Sequence, residues 1–80
     1  MSSEKLIRMA GQIVDAFAHL SPDAQARAVA GHINDFWPPQ MRGTLLSLVE
    51  TQDSRLPPAV LRAGPLIRPP GAAGQTEAES

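Results

Sequence analysis

Apolar residues recur at helical spacing along most of this chain, and no stretch alternates as a half-buried strand would. From about Glu4 to His19, Leu6, Met9, Ala10, Ile13, Phe17 and Leu20 fall on one arc at about 100° per residue. Glu4, Lys5, Arg8, Gln12, Asp15 and His19 take the opposite side. Ile7 and Val14 add a second stripe, making the face wider than one packing neighbour covers. The spacing predicts a first helix over 4–19, with Ser3 as its N-cap and Glu4 favourable to the dipole. Its broad face calls for two sibling helices or another protein.

Ser21-Pro22-Asp23 is a strong start signal: a capping hydroxyl, proline at the first helical position and an acid in the first turn. The second helix reads from Pro22 to about Phe36, with Ala26, Val29, Ala30, Ile33, Phe36 and Trp37 on one arc. Gly31 points away from that arc. Pro38 disfavours helical geometry at Trp37 and ends the helix. Pro39 can open a third, to about Thr51, with a stripe of Met41, Leu45, Leu48 and Val49 and with Leu46 at its edge. Arg42 projects between Val49 and Leu46, inside the apolar sector.

Gln52-Asp53-Ser54 reads as a loop, and residues 56–63 as a turn or two of helix after Pro57-Pro58. From Gly64 the chain is rich in Pro, Gly and Ala, with Leu66 and Ile67 as its only large apolar residues. That is too little to offset the entropy of ordering it. The expectation is an all-α fold: a small bundle of three short helices plus a partial fourth. A helical partner-binding domain would span 1–63, followed by a mobile tail over 64–80 whose first residues can dock.

Eighty residues hold one small domain at most. With no cysteine, disulfides and thiolate metal sites are excluded. The amino terminus has neither the basic region nor the apolar run of a signal peptide, and no apolar run is long enough to span a membrane. Net charge is −1, with acids and bases interspersed. Nucleic-acid binding normally needs a basic face, so a DNA-binding domain is disfavoured, as is attachment to an anionic membrane.

Chemistry is equally sparse. There is no Gly-rich phosphate loop, no nucleophile with an orienting base and no paired carboxylates. Ser21 is explained as a cap. His32 and His19 are too few for a closed metal site, and His32 fits a hydrogen bond to Asp35 or to a carbonyl. Met9 and Met41 read as gap fillers. Phe36 and Trp37 read most simply as core, although Trp37 fits a binding hot spot equally well. Arg42 either lays its stem on Leu46 and Val49 or offers a forked guanidinium to a partner.

Met9-Ala10-Gly11-Gln12-Ile13, then His32, then Phe36-Trp37-Pro38-Pro39-Gln40-Met41-Arg42 resemble the delta subunit of cytoplasmic NAD-dependent formate dehydrogenases. That family carries Met-Ala-Asn-Gln-Ile in its first helix. Later come a His, Phe-Trp-Asp-Pro-Arg-Met-Arg and a Leu-rich helix. The correspondence covers roughly residues 4–63. Gly11, Pro38 and Gln40 depart from it, where Asn, Asp and Arg are expected. Pro38 cannot cap the third helix as an Asp would.

The resemblance implies a non-catalytic accessory subunit that binds no cofactor and supports assembly or stability of a large (alpha) subunit. In such complexes the large subunit holds a bis-guanine-dinucleotide molybdenum or tungsten cofactor. The beta and gamma subunits complete the complex, with iron–sulfur clusters and FMN passing electrons to NAD. Ile7, Met9, Gln12, Val14, His32, Phe36, Trp37, Met41 and Arg42 are the expected partner-binding residues. A transient maturation factor for cofactor insertion and a self-associating helical adaptor unrelated to formate remain alternatives. Their tests are co-purification with mature or cofactor-free enzyme, and light scattering.

Overall fold

The computed structural model describes residues 2–70. Among them run α1 (Ser3–Ala16), α2 (Pro22–Phe36), α3 (Pro39–Glu50), α4 (Pro58–Ala63) and a 3₁₀ turn (Gly64–Leu66), with no strand. The all-α expectation holds.

Local chemistry explains the boundaries. α1 begins one residue earlier than its pattern suggests: Ser2, not Ser3, is the N-cap, its Oγ accepting from the Lys5 N–H at 3.2 Å. Such a cap contributes about 1 kcal/mol. The helix also ends at Ala16 rather than His19. Phe17 takes the C-cap, and the Phe17, Ala18 and Leu20 N–H groups close short turns onto Val14, Asp15 and Phe17 carbonyls. These tighter turns bring the chain round to Ser21, whose Oγ accepts from the Ala24 N–H and caps α2.

α2 stops where Pro38 requires it, Trp37 taking extended geometry with ψ 133°. α3 starts at Pro39 with no side-chain cap, because Pro38 has none to give. Its other end is closed by a left-handed Gln52, φ 54°. There the Asp53 N–H donates to the Leu48 carbonyl and the Gln52 N–H to that of Val49, the paired bonds of a Schellman ending.

The core joins all four helices. Leu6, Ala10, Val29, Ile33, Leu45, Val60 and Ala63 are fully buried, and Ala26, Ala30, Trp37, Leu56 and Ile67 nearly so. α2 and α4 are in contact, and both bury alanines: Ala26 and Ala30 on α2, Ala59 and Ala63 on α4. Gly64 lets the turn after α4 reach α3: a Cβ there would lie 2.6 Å from Val49 Cγ1. Ile7 and Val14, the second stripe of α1, are half-buried against this core, so sibling elements cover much of the broad face.

The packed body continues past Ala63. Ile67 is buried, and Pro70 lies against Gly43. A single apolar plug with hydrogen-bonded flanks therefore seats residues that composition alone assigns to a tail. The rest of that tail, 71–80, lies outside the described residues.

Candidate functional site

Two adjacent aromatics cannot both face inward from one helix, because neighbouring side chains diverge by about 100°. The chain resolves this at the α2–α3 corner. Trp37, whose N–H still donates to the Ile33 carbonyl one turn back, is 6% exposed and joins the core, while its extended ψ turns the chain away after it. Phe36, the last helical residue, is 71% exposed. The reading of Phe36 as core is thus corrected, while Trp37 takes the core position.

Phe36 is held by its neighbour one turn back. The His32 and Phe36 rings lie 4.7 Å apart between centroids, tilted by 40°. A ring pair at this i, i+4 spacing limits the freedom of an exposed aromatic. Neither the Asp35 side chain nor a carbonyl takes a hydrogen bond from His32 among the described residues; ring packing takes that place.

Beside this pair a groove of about 360 Å³ opens between α1 and the end of α2. Met9, Gln12, Ile13, Ala16 and Phe17 line it from α1, His32 and Trp37 from the other wall. The lining is mostly apolar. Gln12 and His32 supply polar groups at fixed points, and among the described residues no carboxylate or guanidinium lines it. Such a groove suits an apolar side chain or a helix face better than a charged small molecule.

Of the expected partner-binding residues, the structure gathers Met9, Gln12, His32 and Trp37 around this groove, with Phe36 against His32. Met41 belongs elsewhere, in a second hollow of about 300 Å³ with Leu6, Pro38, Gln40 and Thr44. Ile7 and Val14 pack on the core. Arg42 is half-buried and bound within the chain: Nη1 donates to the Trp37 carbonyl and Nε to the Arg68 carbonyl, each at 2.9 Å.

Sequence reasoning missed Ile13, Ala16 and Phe17 as groove residues. The first and last were read as core because they share the arc of Leu6 and Ala10. It also missed Asn34, whose amide meets Leu66 and Arg68. Nothing in the pattern around Asn34 announces it.

Ionic chemistry is concentrated away from the groove, in the loop after α3. Asp53 accepts from Arg55 Nε at 3.0 Å, Nη2 at 2.8 Å and the Arg55 N–H at 2.9 Å. The Arg55 side-chain bonds, then its backbone bond, hold the Asp53 carboxyl at about 2, down from 3.8. Among the described residues no cluster of three or more His, Asp or Glu suited to a metal ion is formed, and no helix is long and apolar enough to cross a membrane.

A family model for the NADH-dependent formate dehydrogenase delta subunit FdsD matches residues 5–63. The matched stretch takes in α1 from Lys5 onward, α2, α3 and α4, and ends just before the 3₁₀ turn. No curated protein matches the chain.

Proposed function

The chain belongs to the delta-subunit family of NADH-dependent formate dehydrogenases, and from that membership we propose that it is a non-catalytic accessory subunit docking on the large subunit. The observation that carries the docking face is the open apolar groove beside an exposed, ring-braced Phe36. An anchored aromatic next to a concave apolar surface is the usual make-up of an interface hot spot. Met9, Gln12, Ile13, Ala16 and Phe17 form the receiving wall, while Phe36 inserts into the partner.

On this reading the complex is cytoplasmic and carries its chemistry in other subunits. The large (alpha) subunit holds the bis-guanine-dinucleotide molybdenum or tungsten cofactor and oxidises formate. The beta and gamma subunits pass electrons through iron–sulfur clusters and FMN to NAD. The delta chain contributes binding energy. A protein that binds only the folded form of its partner shifts the partner's folding equilibrium by mass action. Assembly and stability of the large subunit are then its output.

Co-expression with the large subunit, purification through a tag on this chain and measurement of the ratio test the reading. Recovery at a fixed ratio with mature, cofactor-loaded enzyme supports it. Recovery only with cofactor-free enzyme makes the chain a maturation factor. A defined homo-oligomer with no large subunit bound makes it a self-associating adaptor.

A further inference from the structure

Beyond the stretch the family match covers, the chain turns through Gly64–Leu66 and runs on as a strap across the helices. Asn34 brackets it. Nδ2 donates to the Leu66 carbonyl at 3.1 Å, and Oδ1 accepts from the Arg68 N–H at 2.8 Å. One side-chain amide thereby satisfies main-chain groups on both sides of Ile67, as a neighbouring strand would. Ile67 itself is 3% exposed, a plug in the core. Arg42 Nε takes the Arg68 carbonyl, and Pro70 closes onto Gly43, where even a Cβ would come within 2.9 Å of Pro70 Cγ. Among the described residues, every hydrogen bond from the helices to this strap goes to its main chain. Two side chains add to these bonds: Ile67 fills the core, and the Pro70 ring lies on Gly43.

Main-chain bonds for affinity and one pocket for a side chain are the mode by which proteins bind extended peptides. We propose that Asn34, Arg42 and the Ile67 pocket form a peptide seat, filled in cis by the strap. Its ligand class is a segment that leaves a 3₁₀ turn, carries one aliphatic plug residue and is extended from that residue on. That segment must offer a carbonyl before the plug, and an N–H and a carbonyl on the residue after it. The seat is separate from the docking groove but linked to it. Arg42 holds the strap with Nε and the Trp37 carbonyl with Nη1, and Trp37 lines the groove. An emptied seat therefore alters the wall of the groove.

A strap tethered in cis has an effective concentration on the order of millimolar, so the seat must be freed before a second peptide can enter. The test uses the full chain carrying Ile67→Asp and, separately, the milder Ile67→Ala. Each is titrated with a synthetic peptide of wild-type residues 63–71. The readouts are the Asn34 side-chain amide signals by NMR and the emission of Trp37, the chain's only tryptophan.

Saturable binding is expected, returning the Asn34 amide to its wild-type position and reversing a red shift of Trp37. The same peptide with Asp at the plug position fails to bind. Adding Asn34→Leu weakens binding at least about tenfold, as loss of two hydrogen bonds requires. Folded variants that ignore the peptide would overturn the proposal. Loss of the fold in both variants would overturn it too, since the strap would then be part of the core and not a ligand.

Discussion

Arg42 donates through Nη1 to the main-chain carbonyl of Trp37 at 2.9 Å. That carbonyl belongs to the residue where α2 has ended and Pro38 imposes extended geometry, so no helical N–H is in line to reach it. Left alone it would be an unsatisfied acceptor beside a buried indole. The guanidinium resolves this and, through Nε, ties in the Arg68 carbonyl. An arginine within the apolar sector of α3 is thus an internal clamp across three parts of the chain.

Arg42→Lys should destabilise the protein by roughly 1 kcal/mol, because a point-charge ammonium cannot hold both carbonyls in the fork's geometry. Arg42→Ala should cost roughly 2 kcal/mol, about 1 for each carbonyl left without its donor. Urea titration followed by Trp37 emission measures both. Midpoints equal to wild type would show that the clamp contributes nothing.

Two glycines should respond to alanine with opposite signs. Gly64→Ala drives a methyl into Val49 Cγ1, 2.6 Å away, and should destabilise by about 1–3 kcal/mol. Gly31 lies mid-helix in α2 with nothing among the described residues within 4 Å of its Cβ position. Gly31→Ala should stabilise the isolated chain by up to about 1 kcal/mol through helix propensity alone. Thermal melts by circular dichroism compare the two directly.

Gln52 ends α3 in the left-handed region, φ 54°, where a side chain is disfavoured. Gln52→Gly keeps both closing hydrogen bonds and removes the strain. A gain of roughly 0.5–1 kcal/mol is expected, smaller than the full strain because glycine is freer when unfolded. A loss of stability by the same urea measurement would mean that the Gln52 side chain makes a compensating contact.

The Asp53 pair gives the fold an acid dependence of known sign. Its folded carboxyl titrates at about 2, below the ordinary 3.8, because Arg55 bonds the ionised form. The contribution is therefore fully present above about 3.8 and is lost as pH falls through about 2. Unfolding midpoints of wild type and Asp53→Asn, followed from pH 6 down, should differ by a constant amount and then converge in that window. Arg55 is exposed and Asp53 half-buried, so salt should narrow the gap in part. A gap that widens on acidification would contradict the assignment.

Much of this architecture is legible in residue order, and particular residues show where legibility stops. Ser21-Pro22 and Trp37-Pro38-Pro39 fix the limits of α2 and the start of α3, because caps and prolines act within a few residues. Arg42 also fell correctly within the apolar sector, since a helix rotates its side chains regularly. Phe36 and Trp37 share one apolar arc, and the arc alone does not say which is covered: Trp37, one turn on from Ile33, is buried, and Phe36 stays outside. That the first tail residues can dock was legible, but the burial of Ile67 and the place of its seat were not. Two adjacent apolar residues, Leu66 and Ile67, among Pro, Gly and Ala give no periodicity, and the seat of Ile67 is built by Asn34 and Arg42, 33 and 25 residues earlier in the chain. The groove inherits the same limit: Ile13 and Phe17 repeat with the core residues, and only packing decides which part of the face stays open.

On the proposal that the groove and its exposed phenylalanine receive the large subunit, Phe36→Ser removes the anchor. Phe36 contributes little to the fold at 71% exposure, so the variant should melt like wild type. Its affinity for the purified large subunit, by isothermal titration or biolayer interferometry, should fall at least about thirtyfold, the loss of a hot-spot aromatic. Unchanged affinity in a normally folded Phe36→Ser chain would contradict the account.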